Sequence, residues 1–276
     1  MVNTFVLHDE TDTDFSDTFR CYDNARLGKQ RSETKIIVHA LEDLDAVRAH
    51  FGWRQPPSTA DEHLKTPEEV VRAFHKRIRM AQRHRRRYLA LNVRLVRRWV
   101  DGELRIESAP VDSLPQVMKP ASKVQSVDPN ALHTAKEERI VQLGYLNHPA
   151  AKMWLGYTDA LRLYYNSNIR EWKSRVGARG RPFQNNSVVL TGRRLAELYE
   201  IDPSTVTMPW WTRTPHFYRS CRASLLRKAP KLYSFSTSKR YRKRGYVWVC
   251  DLSPEVNVRL LKGESVVVKS ITGKAE

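Results

Sequence analysis

The sequence predicts a mainly α-helical chain with a few short strands near its C-terminus, and three observations carry that prediction. Asp23 and Asn24 can cap a helix whose body runs from Ala25 to about Leu41, with Leu27, Thr34, Val38 and Leu41 along one face. From Thr66 the run T-P-E-E reads as a capping box with Pro67 in the first helical position, and neither Pro nor Gly interrupts the chain until Gly102. In "GYLNHPAAKMWLGYTDALRLYY" the residues Met153, Tyr157, Ala160, Leu161 and Tyr164 recur with helical period. They predict one central core helix, capped by Asn147, with Pro149 in its first turn.

The chain is 276 residues long and 41% hydrophobic with seven Trp and eleven Tyr, enough to bury a core in one large domain. Its 48 Lys and Arg against 30 Asp and Glu give a formal charge of +18, a field that attracts polyanions and repels further copies of itself. Nucleic acid is therefore the leading partner and a monomer the expected state. Cys21, Cys221 and Cys250 are far apart and form no C-x-x-C pair, which predicts reduced thiols and no zinc site. The opening "MVNTFVLHDETDTDF" has acids where a secretory signal would be apolar, and no apolar run is long enough for a membrane span. A soluble cytoplasmic protein is expected.

The first helix begins polar and ends apolar. Arg26, Lys29, Gln30 and Glu33 fall at i, i+3, i+4 and i+7, so one face of its first half looks into a groove while its second half enters the core. The stretch from Val70 to Val100, read as one helix, carries eleven Lys or Arg, Arg83, Arg86 and Arg87 among them, and no acid. Such a row is either a solvated surface with snorkelling arginines or a track for phosphates. Pro110, Pro115, Pro120 and Pro129 then forbid a continuous helix and suggest an extended strap, followed by a short helix from about Ala131 to Leu143.

His148 lies at the positive end of the central helix, as a cap or as a functional group. "KSRVGARGRPFQNN" reads as a basic loop and "GRRLAELYE" as a short helix. Trp210 and Trp211 precede a basic amphipathic helix bearing Tyr218, Arg222, Arg227 and Lys228. Two indoles beside arginines either stack on an extruded base or belong to the core. "STSKRYRKRGY" adds Arg240 and Arg242, and "VNVRLL" and "SVVVKSI" look like two strands.

Three separated blocks, "YDNARLGKQRSETKIIVHAL", "GYLNHPAAKMWLGY" and "MPWWTRTPHFYRSCRASLLRKAPKLY", together with the opening Asn3-Thr4-Phe5, resemble the pyrimidine-dimer DNA glycosylases of the phage endonuclease V type and their larger bacterial and phage relatives. The resemblance implies a compact helical glycosylase core over residues 1–276. Residues 55–143 would be an inserted basic helix and strap, and residues 250–276 a C-terminal extension. It also implies chemistry: the amino-terminal amine attacks the sugar C1′, and a Glu on the first helix manages protons and the sugar ring. An α-amine with a pKa of about 8 is partly neutral near pH 7, unlike a lysine at about 10.4.

Carried onto this sequence, the carboxylate is Glu33, the amine is that of Val2, or of Met1 if Met1 is retained, and His148 supports them. Arg26, Lys29, Gln30, Arg31 and Asn147 would hold the flanking phosphates, with no metal and no cofactor. Without the resemblance, Lys29 and Glu33 read as an ion pair on a solvated helix. Where close bacterial relatives have two His and an Asn in the third block, this chain has Tyr218, Cys221 and Ser224, so the pocket is rebuilt and a bulky or virus-modified pyrimidine fits the pattern as well as a dimer. The expected partner is double-stranded DNA containing a damaged or modified base, in repair or in antiviral defence. Two other classes stand beside this one. One is a non-catalytic nucleic-acid binder on the same scaffold; the other is an RNA-directed nuclease, for which no close pair of metal-binding carboxylates is seen.

Overall fold

The computed structural model describes residues 4–8, 11–100, 103–110, 138–176, 199, 201–235 and 246–266. Within them the chain is mostly helical. Seven helices, α1 (Ser16–Arg20), α2 (Asn24–His50), α3 (Pro67–Ala90), α4 (Pro149–Met153), α5 (Thr158–Ser174), α6 (Pro215–Lys228) and α7 (Pro254–Leu261), surround one small sheet. That sheet comprises β1 (Val93–Val100), β2 (Glu103–Pro110) and β3 (Glu138–Ile140), antiparallel in the order β2-β1-β3.

Both N-terminal caps form as the sequence predicts, because each is a local device. The Asp23 carboxylate accepts the Arg26 N–H at 3.0 Å, and Thr66 and Glu69 exchange the two bonds of a capping box. Helix α2 runs nine residues past the expected end, to His50, since Leu44, Ala46 and Val47 continue its buried face. Helix α5 lies along α2, and Gly28 marks where they touch. A Cβ at Gly28 would stand 3.1 Å from Trp172 of α5, so this position of the R-L-G-K-Q-R motif stays small for packing.

The long basic stretch is not one helix. It turns at Asn92, whose φ of 51° is left-handed, and V-R-L-V-R-R-W-V continues as β1, in keeping with its β-branched residues. Arg94, Arg97 and Arg98 therefore leave the helix. Arg97 turns inward to Asp43 at 3.0 Å and Glu42 at 3.5 Å on α2. The expected helix from Ala131 is also replaced at its C-terminal end. Glu138–Ile140 pairs with β1, and Asp43 accepts the Gln142 N–H at 2.9 Å. Pro110 closes β2, and the other three prolines of the strap lie outside the described residues, as do "GRRLAELYE" apart from Tyr199, most of "KSRVGARGRPFQNN" and Arg240 and Arg242.

The predicted central helix is two. Gly156, at φ 87°, breaks it between α4 and α5, and the cap is the His148 side chain instead of Asn147. Near the C-terminus "VNVRLL" is helix α7, started by Ser253 with Pro254 at its first position, a helix signal that outweighs the strand-like alternation. Asn257 of α7 meets His75 of α3 at 3.1 Å, and Lys262 pairs with Glu68. "SVVVKSI" lies outside the described residues beyond Val266, so the only described strands are mid-chain.

Glu42 is the hub of the α2 charge network. Burial pushes its carboxyl pKa up, but hydrogen bonds from His39 and Arg162 and the charges of Arg162 and Arg97 more than reverse this, leaving it at about 2 against an ordinary 4.5. A depressed carboxyl stabilises the fold fully above the unfolded value and loses that contribution as pH falls toward the folded one. Unfolding free energy should therefore drop by up to about 3 kcal/mol between pH 5 and 2 through this group. In urea melts Glu42→Gln should flatten that dependence, and a variant with the wild-type slope would remove Glu42 as its source.

Candidate active site

The first half of α2 carries the site. Glu33 is 5% exposed, and its carboxylate oxygens lie 3.4 Å from Arg26 Nη2 and 3.7 Å from Lys29 Nζ. Helical spacing aligns Arg26, Gln30 and Glu33, and the Gln30 side-chain Oε1 accepts from Arg26 Nη2 at 2.8 Å. Lys29 is the outward member, its side chain 57% exposed. Glu33 is thus a buried carboxylate held among cations, unlike one half of a solvated surface pair.

The start of the chain comes to this place. Thr4 to Leu7 run through the core under three hydroxyl clamps and one guanidinium clamp. Tyr22 and Tyr164 donate to the Phe5 carbonyl at 2.6 and 2.7 Å, Tyr246 to the Thr4 carbonyl at 2.9 Å, and Arg222 Nε to the Leu7 carbonyl at 2.6 Å. Trp154 Nε1 donates to Thr4 Oγ1 at 2.8 Å. The Phe5 ring then meets Arg26, whose guanidinium carbon is 4.3 Å from its centroid. Val2 itself lies outside the described residues.

The "GYLNHP" block supplies the other wall. Gly144–Asn147 is a 3-10 turn, in which side chains three apart eclipse, so the rings of Tyr145 and His148 stack at 5.2 Å and 12°. His148 Nδ1 accepts the Ala150 N–H at 3.1 Å as the cap of α4. Burial first, and then neighbouring positive charge including Lys152, lowers its pKa. The ring is therefore neutral near pH 7 with its proton on Nε2, a hydrogen-bond donor.

Tyr145 is the residue that sequence reasoning passed over. Its hydroxyl is buried with no hydrogen-bond partner among the described residues, and burial followed by the charge of Glu33 pushes its pKa up to about 12. It is a neutral donor beside the carboxylate. The signal was its place three residues before His148 in a turn of 3-10 period. Asn147, with its amide oxygen turned toward Arg85, accepts from that guanidinium at 3.2 and 3.3 Å, so it braces the turn against α3.

Several residues expected at the DNA surface have other work. Trp210 and Trp211 are both 0% exposed: Trp211 packs on Trp154 and Phe217, Trp210 on Phe74, and neither can stack on a base. Gln30 is fully buried and serves Arg26. Arg31 points away from Glu33 and stacks on Trp172 at 4.6 Å. Arg222 clamps Leu7 with its guanidinium over Tyr218 at 5.3 Å, and buried Cys221, its thiol pushed up to about 12 by burial, lines the core instead of a pocket.

The structure leaves exposed a row of cations on α3: Arg72, Lys76, Arg79, Arg83 and Arg86, spaced four, three, four and three residues apart. They form one stripe about 20 Å long. Arg87 flanks it, over the Trp53 ring at 4.8 Å. Beside the end of α6 a cavity of about 240 Å³ is lined by Arg227 and by Tyr233 and Phe235, whose rings stack at 5.5 Å. A larger one, about 680 Å³, borders Leu41 to Arg48, at least two turns along α2 from Glu33 and remote from the carboxylate. Among the described residues no group of three His, Cys, Asp or Glu could hold a metal, and no helix is long and apolar enough to cross a membrane.

The family model described as pyrimidine dimer DNA glycosylase matches residues 121–185. That match meets the resemblance drawn from the three motif blocks through the second of them, covering β3, the 3-10 turn, α4 and α5 but neither Glu33 nor α6. No curated protein and no solved structure matches the chain.

Proposed function

We propose that this chain, whose residues 121–185 match a family of DNA glycosylases, flips a damaged or modified pyrimidine out of duplex DNA and cleaves its N-glycosidic bond. The observation that carries the reading is Glu33: a nearly buried carboxylate framed by Arg26 and Lys29, beside the segment that leads from the start of the chain. A carboxylate there steadies the oxocarbenium-like sugar as the base leaves, and passes protons to the leaving base or the opening ring. Tyr145 and His148, both neutral donors, are suited to steady the negative charge that develops on the departing base.

The amine of Val2, or of Met1, is the family's nucleophile. One residue, Asn3, separates Val2 from Thr4, a reach of two chain steps or about 7 Å at most, which is compatible with a sugar lying between Phe5 and Glu33. Abasic-site lyase activity would follow from the resulting imine. The stripe on α3, with Arg87, Lys29, Arg26 and Arg227, is suited to phosphates, and a contact of this kind weakens steeply with salt. Tyr218, half-buried under Arg222, belongs at the edge of that surface. The protein would act as a monomer in the cytoplasm, on damaged host DNA or on the altered bases of a virus.

The test is digestion of damaged, natural and phage-derived duplex DNA with the purified protein, with mass spectrometry of the small products. Release of one free pyrimidine derivative is the expected result. DNA binding without release from any of these substrates would favour the non-catalytic binder.

A further inference from the structure

The open side of the candidate site carries one apolar side chain that core packing does not account for. Lys29, beside the Glu33 carboxylate, points to solvent with its side chain 57% exposed, so this is the side of α2 that a duplex can approach. Helical spacing gathers Ala25, Lys29, Ser32 and Ile36 into one strip along that side, and all four are exposed. Ile36 is 45% exposed, whereas its neighbour Ile37 is fully buried in the core. Among the described residues Ile36 is the only large apolar side chain exposed on α2. It stands three residues past Glu33, about 4.5 Å further along the axis, a spacing that makes the two side chains neighbours on the helix surface.

A single exposed aliphatic is common on proteins and means nothing by itself. The position of this one gives it a use. A nucleotide that leaves the duplex opens a gap one base thick, and the bases on either side lose their stacking. Proteins that hold a duplex distorted put an apolar wedge between base steps, isoleucine among them. A β-branched side chain on a helix already has one strongly preferred rotamer, so little side-chain freedom is lost on insertion. Ile36 brings such a group to the edge of the carboxylate, on the strip that also carries the Lys29 cation.

We propose that Ile36 is a positioning residue: it enters the base stack where the target nucleotide has left, and so holds that nucleotide outside with its sugar at Glu33. The inference rests on the glycosylase reading for its substrate, and adds to it the side of α2 that meets the duplex.

The first probe is a duplex with one tetrahydrofuran abasic analogue and 2-aminopurine on its 3′ side, whose fluorescence reports stacking without any cleavage. The full-length protein should change that fluorescence on binding. Ile36→Ala should lose at least about half of the change, and Ile36→Leu should recover it. Affinity for the duplex should stay within about threefold throughout, because phosphate contacts dominate it. Leu89→Ala, which removes a similarly exposed aliphatic near the C-terminal end of α3, should behave as the wild type. No change with saturating wild type, an unchanged signal in Ile36→Ala, or the same loss in Leu89→Ala overturns the inference. The second probe is the duplex from which the wild type releases a base, prepared with the target pyrimidine opposite its normal partner or opposite no base. Ile36→Ala should slow release by at least about tenfold in the first and by less than about threefold in the second, where no pairing opposes extrusion. Equal slowing in both means that Ile36 only shapes the site, and overturns the wedge. A wild type that releases no base from any substrate removes the glycosylase reading, while the fluorescence still decides the wedge.

Discussion

Replacing Glu33 with Gln is expected to lower base release by roughly a hundredfold to ten-thousandfold, the range in which positioned acid–base groups contribute, or about 3–5 kcal/mol of barrier. The amide keeps the shape that fills the space between Arg26 and Lys29, so the fold should hold. It loses both the negative charge that steadies a cationic sugar and the basic oxygen that accepts a proton. DNA affinity should be unchanged or higher, because one anion has been taken out of a cationic surface. The measurement is single-turnover base release beside fluorescence anisotropy of the same duplex. Wild-type turnover in Glu33→Gln would remove the carboxylate from the mechanism. A parallel loss of affinity would show that Glu33 only holds the two cations in place. Glu33→Asp, which shortens the reach and keeps the charge, should fall between the two.

What was legible in the sequence is what depends on near neighbours. The Asp23 cap, the Thr66 capping box and the alignment of Arg26, Gln30 and Glu33 each rest on residues within two turns of one another, and all three stand. Glu33 itself was singled out by a motif together with an oddity of charge. The rest was decided by partners far along the chain. Val93–Val100 has no breaker to end the helix before it, but its β-branched residues suit a strand, and pairing with β2 and β3 and the contacts of Arg97 with Asp43 and Glu42, more than fifty residues earlier, hold it as one. Trp210 and Trp211 could stack on a base or enter the core, and only the fold places Trp154 against Trp211 and Phe74 against Trp210. Tyr145 sits in the second motif block with no chemistry attached to it there, and only the fold brings it into the field of Glu33, more than a hundred residues away.

Residues 55–143, expected to be an insertion, do more than present basic side chains. Arg85 of α3 donates to the Leu143 carbonyl at 3.1 Å and reaches Asn147, so α3 grips the turn that carries Tyr145 and His148. The same stretch also grips the M-W-x-G-Y segment, where Thr59 Oγ1 donates to the Gly156 carbonyl at 3.0 Å. A segment with these contacts helps to hold the candidate site in place, even though its exposed arginines invite a reading as surface alone.

Breaking that second grip is expected to cost more stability than any other single change described here. Arg77 and Glu62 form a buried pair at 2.7 Å, and Tyr157 completes it, donating to Glu62 at 2.6 Å and accepting from Arg77 at 3.0 Å. Glu62→Ala strands a guanidinium in the core, a loss of about 3–5 kcal/mol, and in a chain of this size the thermal midpoint should fall on the order of 10 °C. Gly156→Ala attacks the same network from the other side. Its φ of 87° disfavours any side chain, and a Cβ there would stand 2.6 Å from Arg77 Cδ and 2.8 Å from its Nε. The two parts of that penalty separate in a double-mutant cycle. In an Arg77→Met, Glu62→Leu background, where the buried charges are gone and the side chain can bend, Gly156→Ala should cost only its backbone strain, about 1–2 kcal/mol. Equal costs in both backgrounds would mean that Arg77 gives way freely, and that the network is not the rigid strut between α3 and the segment leading into α5.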